Sequence, residues 1–137
     1  MPPHPPVALV SPDPYVCAHV GDVLAAAGFR PLPFAAAIGL HEVLRAVPPA
    51  AIVFDLPPDP YPPSWRWLPL VVLLEDPSLR QVPVILCLDA DADRAARLRA
   101  LPRPAAAVLP HPCAPATLLA RLADLLPRTH RPATLAD

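Results

Sequence analysis

Two aspartates follow short apolar segments, where folding would bring their carboxylates to the edge of a sheet. Asp55 ends the run from Ala50 to Phe54, and Asp13 follows the run from Val7 to Val10 within a Ser-Pro-Asp-Pro turn. Ligands of open α/β sheets bind at the carboxyl ends of the strands. Carboxylate oxygens are also the ligands that Mg²⁺ takes, together with several waters. Asp13 and Asp55 are therefore weak magnesium candidates if the fold makes them neighbours.

Other residues with chemical potential follow the same kind of segment. His111 and Cys113 come after a later apolar stretch and offer a nitrogen and a sulfur donor. A zinc or redox site needs three or four convergent ligands, so this pair alone is a weak signal. Ser11 and Asp13 also have a structural alternative, because both residue types cap helix N-termini. For Asp13 we favour the cap over the metal ligand.

Strand-like and helix-like segments alternate five times and must position these residues. The apolar runs predict strands at Val7–Val10, Pro31–Phe34, Ala50–Phe54, Val82–Leu88 and Ala105–Leu109. The prolines of the second run place it at a sheet edge. Helical periodicity follows each strand. Leu40, Val43, Leu44 and Val47 mark the second helix, and the periodicity is strongest at Leu118, Leu119, Leu122, Leu125 and Leu126.

The alternation predicts an α/β fold. We expect a flavodoxin-like, doubly wound parallel sheet of five strands in the order 2-1-3-4-5, with helices on both faces. In this order the first and third strands are adjacent, so Asp13 and Asp55 become neighbours. The domain is expected over residues 7–127, with a proline-rich extension at residues 1–6 and a polar tail at residues 128–137.

Composition narrows the class of protein. The chain has 137 residues, a formal net charge of −1 and no lysine, so neither lysine chemistry nor a basic field for nucleic acid is expected. No apolar run approaches the roughly 20 residues of a membrane span, and no signal peptide is recognised, which favours the cytoplasm. The cysteines, Cys17, Cys87 and Cys113, are too scattered for a disulfide framework, and Cys87 is expected in the core.

The order of these features resembles the receiver domains of bacterial two-component response regulators. The resemblance rests on Val7-Ala8-Leu9-Val10 before an acidic turn, on Asp55 after the third strand, on the segment from Glu75 to Ile85, and on His111-Pro112 where the family has Lys-Pro. It implies that Asp55 stands at the position of the phosphoacceptor. It also implies signalling partners, namely a histidine kinase or a downstream effector.

The chain departs from the family around that aspartate. Ser11 and Pro12 stand where the family has two adjacent carboxylates, Leu88 replaces a small hydroxyl residue, Val108 replaces the switch aromatic, and His111 replaces the lysine. Phosphoryl transfer depends on Mg²⁺ and on a nearby cation that neutralises the transferred oxygens. Imidazole is mostly neutral at cytoplasmic pH, and leucine or valine cannot bond a phosphoryl oxygen.

These departures favour an atypical, stand-alone receiver domain that works as a protein-interaction module without phosphorylation, is not an enzyme and requires no cofactor. The alternative is a functional response regulator phosphorylated on Asp55. A flavin-type carrier or small enzyme is a third class, which Gly21, Gly28 and Gly39 do not support because they form no phosphate loop.

Candidate contact surfaces come from two features. Trp65 and Trp67 flank a proline-rich loop, and we expect one to anchor the loop and the other to be an exposed contact, unless both pack on prolines. The resemblance adds the face of the fourth helix, fifth strand and fifth helix as a surface for a partner or for a second copy of the chain.

Overall fold

The computed structural model of the chain describes residues 4–35, 39–56, 67–89, 94–133 and 135. Its strands form one five-stranded parallel sheet in the order β2-β1-β3-β4-β5, as the sequence predicts. The strands are β1 (Pro6–Val10), β2 (Arg30–Phe34), β3 (Ala51–Leu56), β4 (Val84–Leu88) and β5 (Ala107–Leu109). Strands β1, β3 and β4 are buried on both faces, which explains their continuous apolar sequences.

Helices cover both faces of the sheet and divide the core into two layers. The helices are α1 (Pro14–Ala26), α2 (Leu40–Ala46), α3 (Leu68–Glu75), α4 (Arg94–Arg99) and α5 (Pro115–Leu125), with 3₁₀ turns at Pro77–Leu79 and Arg128–His130. One layer joins the sheet to α2 and α3 through Leu44 and Leu70. The other joins it to α1 and α5 through Leu24 and Leu122. Asp55 lies in β3 between Phe54 and Leu56, which belong to the first layer, so the alternation of strand side chains directs it to the second.

Prolines shape the edge strand β2. Arg30 N–H donates to the carbonyl of Pro5 at 2.9 Å, so the backbone N–H groups of alternate residues starting at Arg30 face β1. Pro31 and Pro33 occupy the intervening positions, where an N–H would face away from the sheet. This placement explains how a strand with two prolines keeps its ladder with β1.

The helix marked by Leu40, Val43, Leu44 and Val47 is present as α2, but only two of these four residues are buried. Leu40 and Leu44 are buried, but Val43 is 52% exposed and Val47 is 66% exposed. Val43 is rotated by about 100° from Leu44 on a helix of 3.6 residues per turn, so it faces solvent when Leu44 faces the sheet. Val47 follows the last helical residue, Ala46, and helical periodicity no longer applies to it.

Asp76 connects the end of α3 to α2. Its carboxylate accepts hydrogen bonds from Ser78 Oγ at 2.7 Å, from Ser78 N–H at 2.9 Å and from His41 Nε2 at 2.6 Å. Arg45 Nε lies 3.8 Å from the same carboxylate. The Ser78 hydroxyl is the largest cause, followed by the Ser78 amide and His41, of a pKa for Asp76 lowered to about 2.

Replacing Ser78 with alanine is expected to raise the pKa of Asp76 from about 2 towards its ordinary value of about 3.9. Because the native pKa is depressed, the stabilisation is complete above the unfolded-state value and is lost as the pH falls from about 4 through about 2. Carbon-13 NMR titration of the Asp76 carboxyl measures the shift. Ser78→Thr keeps the hydroxyl and is the matched control; an Asp76 pKa that stays near 2 in Ser78→Ala would contradict the assignment.

The segment after α5, which the sequence analysis places outside the domain, keeps contacts with it. Arg131 Nε donates to the carbonyl of Leu126 at 2.8 Å, and Leu135 packs against the layer that contains α5. Ser64 and Asp91, which precede helix-like segments of the sequence and are of residue types that cap helices, lie outside the described residues. Among the helices that the structure describes, none is both long and apolar enough to cross a bilayer.

Candidate functional site

Asp55 is the centre of the candidate site and is almost completely enclosed. The residue is 2% exposed. Ser11 Oγ donates to its Oδ2 at 2.8 Å, and His111 Nδ1 donates to its Oδ1 at 2.7 Å. Each carboxyl oxygen therefore has a hydrogen-bond donor from a different part of the chain.

The sheet order brings these three side chains together. Ser11 is the first residue after β1, Asp55 is the next-to-last residue of β3, and His111 lies two residues beyond the end of β5. Strands β1 and β3 are paired in register, with Val10 opposite Phe54, so their carboxyl ends meet at one edge. The three residues thus meet at one edge of the sheet, although Asp55 is 44 positions from Ser11 and 56 positions from His111 along the chain.

Asp13 is a helix cap in the structure, the role that we favoured over metal binding. Its Oδ1 accepts a hydrogen bond from the N–H of Tyr15 at 2.9 Å, at the first turn of α1. Its own N–H donates to Ser11 Oγ at 3.1 Å. Ser11 therefore accepts from Asp13 and donates to Asp55, which fixes its hydroxyl.

Three cysteines lie around the site, and only Cys113 was expected near Asp55, at the same edge of the sheet as His111. The Cys17 thiol donates to the carbonyl of Ser11 at 3.6 Å, and burial, then the charge of Asp55, raise its pKa. Cys87 stands opposite Asp55 in the β3–β4 ladder and is fully buried. A hydrogen bond with Cys113, followed by burial, raises the pKa of Cys87. The only available sequence signal was that Cys113 follows His111 by two residues.

Leu88 does not contribute to the surroundings of Asp55. It pairs with Leu56 across β3 and β4 and belongs to the core layer of α2 and α3, whereas Cys87 belongs to the other layer. The site wall next to Asp55 on β4 is therefore formed by Cys87, one residue earlier than the family resemblance implies.

Trp67 is a core residue rather than an exposed contact. It is 8% exposed, and the guanidinium of Arg97 lies 5.7 Å from the centre of its ring. This is a cation–π distance, which links the start of α3 to α4. Trp65, the other predicted contact residue, lies outside the described residues.

The donor set around Asp55 falls short of what Mg²⁺ requires. Within the described part of the chain, no group of three or more histidine, cysteine, aspartate or glutamate side chains could hold a metal ion. The carboxylate of Asp13 caps α1, and both oxygens of Asp55 already accept hydrogen bonds. Pro12, between Ser11 and Asp13, has no side-chain oxygen. The Asp55 carboxyl is thus buried, with a hydrogen bond at each of its oxygens.

Comparison with known proteins places the fold. By sequence, neither a family model nor a curated protein matches the chain. By structure, it is similar to the signal receiver domain of a signal transduction histidine kinase from Syntrophus aciditrophicus, with a TM-score of 0.72, 22% identity, and coverage of 89% of both chains. It is also similar to the chemotaxis response regulator CheY4 of Vibrio cholerae, with a TM-score of 0.71, 17% identity, and coverage of 90% of this chain and 99% of that one.

A sensor protein from Polaromonas sp. JS666 is similar at a TM-score of 0.72 and 19% identity, over 88% of this chain and 94% of that chain. Together these similarities show that the chain has the fold of the receiver domains of signal-transduction response regulators, with the flavodoxin-like topology that the sequence predicts.

Proposed function

We propose that this chain is an atypical receiver domain that transmits a signal by binding a protein partner, without phosphorylation of Asp55. The observation that carries the proposal is the enclosed state of Asp55, which is 2% exposed and has a hydrogen bond to each carboxyl oxygen. A phosphoryl donor needs an open line of approach to a carboxylate oxygen. For such a donor to react, the carboxyl would have to become accessible and the hydrogen bond at the attacking oxygen, from Ser11 or from His111, would have to move aside.

The groups that assist phosphoryl transfer also support this proposal. Transfer to a carboxylate relies on positioning and on cations that neutralise the phosphoryl oxygens. Here Ser11 and Pro12 replace the family's paired carboxylates, and His111 replaces its lysine while its ring is already bonded to Asp55. We therefore propose that the domain requires neither Mg²⁺ nor another cofactor and is not an enzyme.

The proposed partner is another protein of a signalling system in the cytoplasm, either a histidine kinase or a downstream effector, or a second copy of this chain. The surface of α4, β5 and α5 is the proposed contact face. In α4 none of the residues Arg94–Arg99 is fully buried, and β5 is only three residues long. Analytical ultracentrifugation tests the second copy: a dimer that Arg99→Glu on α4 dissociates would support it, and a monomer at all concentrations would leave only the other partners.

Titration with Mg²⁺ and beryllofluoride, a mimic of the phosphoryl group, tests phosphorylation independence. We expect no saturable change in the amide NMR signals of Ser11, Asp55 and His111, and the same null result in Asp55→Asn. The alternative, a response regulator phosphorylated on Asp55, predicts saturable changes in the native chain that disappear in Asp55→Asn. Those changes would overturn the proposal.

The chain also offers a positive control for that titration. Ser11→Asp, Pro12→Asp and His111→Lys together restore the residue types that the receiver family has at these positions. The restored variant is expected to respond to Mg²⁺ and beryllofluoride, which would show that the conditions detect a complete site. If the native chain responds as strongly as the restored variant, the replaced residues do not impair the site and the proposal fails.

A further inference from the structure

A cleft of about 450 Å³ opens at the amino ends of the strands, whereas Asp55 lies near their carboxyl ends. Its floor includes Ala50, Pro83 and Ala106, the residues that directly precede β3, β4 and β5. Small-molecule sites in proteins typically have volumes of about 300–1,000 Å³. The cleft therefore has the size of a ligand site, and the proposed function does not use it.

The charged residues that line the cleft are basic. Arg80, Arg103 and His130 line the cleft, and none of the described lining residues is acidic. Apolar side chains complete the walls, among them Val82 and Leu125. In a chain with a net charge of −1, this concentration of positive groups at one cleft is a local feature. Such a cleft attracts an anion and also has an apolar surface against which the body of the anion can pack.

Arg103 supplies a second, independent observation. One of its terminal nitrogens, Nη2, donates to the carbonyl of Leu79 at 3.1 Å. Its Nε is buried and has no hydrogen-bond partner among the described residues. Burial also lowers the pKa of Arg103. A buried guanidinium N–H without an acceptor is unfavourable, and buried polar groups normally have partners.

Arginines near helix ends often donate hydrogen bonds to the last carbonyls of the helix, and two arginines in or next to the cleft do so. Arg131 Nε donates to the carbonyl of Leu126 after α5, and Arg103 Nη2 donates to the carbonyl of Leu79, the last residue of a short 3₁₀ turn. That role uses one N–H of Arg103. It does not account for the unpartnered Nε or for the presence of Arg80 and His130 beside the same cleft.

We propose that this cleft, which we call the basal cleft, binds a small organic anion that has one phosphate or carboxylate group attached to an apolar body. The charged group lies between the guanidinium groups of Arg80 and Arg103, with His130 as a further donor. The apolar body packs against Val82 and Leu125. The inference is independent of whether Asp55 is phosphorylated.

Titration with phenyl phosphate, followed by amide NMR, tests the basal cleft. We expect saturable shifts at Gln81, Ala106 and His130 and none at Ser11 or Asp55. Arg103→Gln is expected to weaken binding about tenfold or more, because it removes a charge-assisted hydrogen bond. Arg121→Gln, which removes the same charge from an exposed position of α5, is the matched control and is expected to keep the native affinity. Arg80→Gln provides a second weakened variant should Arg103→Gln fail to fold.

Two further probes identify the chemistry of the ligand. Benzoate has a carboxylate in place of the phosphate. Whichever of phenyl phosphate and benzoate binds more tightly shows which charged group the cleft prefers. Benzyl alcohol has the apolar body without the charge and is expected to bind far more weakly. Equal binding of benzyl alcohol, shifts that do not saturate, or an equal loss of affinity in Arg121→Gln would each overturn the proposal.

Discussion

Replacing His111 with leucine is expected to lower the free energy of unfolding at neutral pH by about 3 kcal/mol, one of the two largest effects of a single substitution that we predict. The substitution removes the donor 2.7 Å from Asp55 Oδ1 and leaves an almost fully buried carboxyl whose remaining hydrogen-bond donor among the described side chains is the Ser11 hydroxyl. Urea denaturation followed by circular dichroism measures the loss.

The Asp55–His111 interaction can be separated from the packing of the imidazole by a double-mutant cycle. Asp55→Asn removes the charge that His111→Leu leaves without its partner. The loss of unfolding free energy in the double variant is therefore expected to be smaller than the sum of the two single losses, by about 1 kcal/mol or more. His19→Leu, at an exposed position of α1, is the matched control and is expected to change stability by less than about 0.5 kcal/mol. A loss in His111→Leu no larger than in His19→Leu would show that the contact does not stabilise the fold.

Replacing Leu122 with alanine is expected to lower the free energy of unfolding by about 3 kcal/mol, within the range of about 2–5 for buried leucines. Leu122 is 0% exposed and packs in the layer that contains Val20 and Leu24 of α1. The truncation removes apolar contacts and leaves a cavity that surrounding side chains fill only partly. Denaturant titration with an unchanged m-value measures the effect.

Val47→Ala is the control for the Leu122 prediction. Val47 is 66% exposed, so removing two of its carbons is expected to change stability by less than about 0.5 kcal/mol. The Val47 variant also tests the exposure of this residue, because helical periodicity alone does not distinguish Val47 from a core residue such as Leu122. A loss in Val47→Ala as large as in Leu122→Ala would mean that this valine is buried in solution.

The sequence was sufficient to predict the fold because the strands are short, apolar and separated by clear turn signals. The continuous runs before Asp55 and through Val84–Leu88 are typical of strands buried on both faces, and Pro31 and Pro33 correctly place β2 at the edge. Periodicity also identified α2 but not that Val43 and Val47 are exposed, because one helical turn offers several apolar residues and only packing decides which of them faces the sheet.

The site was predicted only in part. Sheet order was enough to bring Ser11, Asp55 and His111 to one edge, and turn chemistry narrowed the cap of α1 to Ser11 or Asp13, of which the structure has Asp13. The pairing of each Asp55 oxygen with a donor could not be predicted, because it depends on rotamers and on distances between residues far apart in sequence. The position of Cys87 beside Asp55 depends on the register of β3 and β4, which a sequence pattern alone does not determine.

The prolines of β2 also protect the molecule from strand-to-strand aggregation. An incoming strand from another molecule needs N–H donors along an exposed edge, and Pro31 and Pro33 remove them from the outward side of β2. At the opposite end of the sheet, β5 has only three residues and offers a short template. Sheet extension is thus blocked at one edge and limited at the other, so concentrated protein should resist fibril growth, and association should proceed through helices and loops.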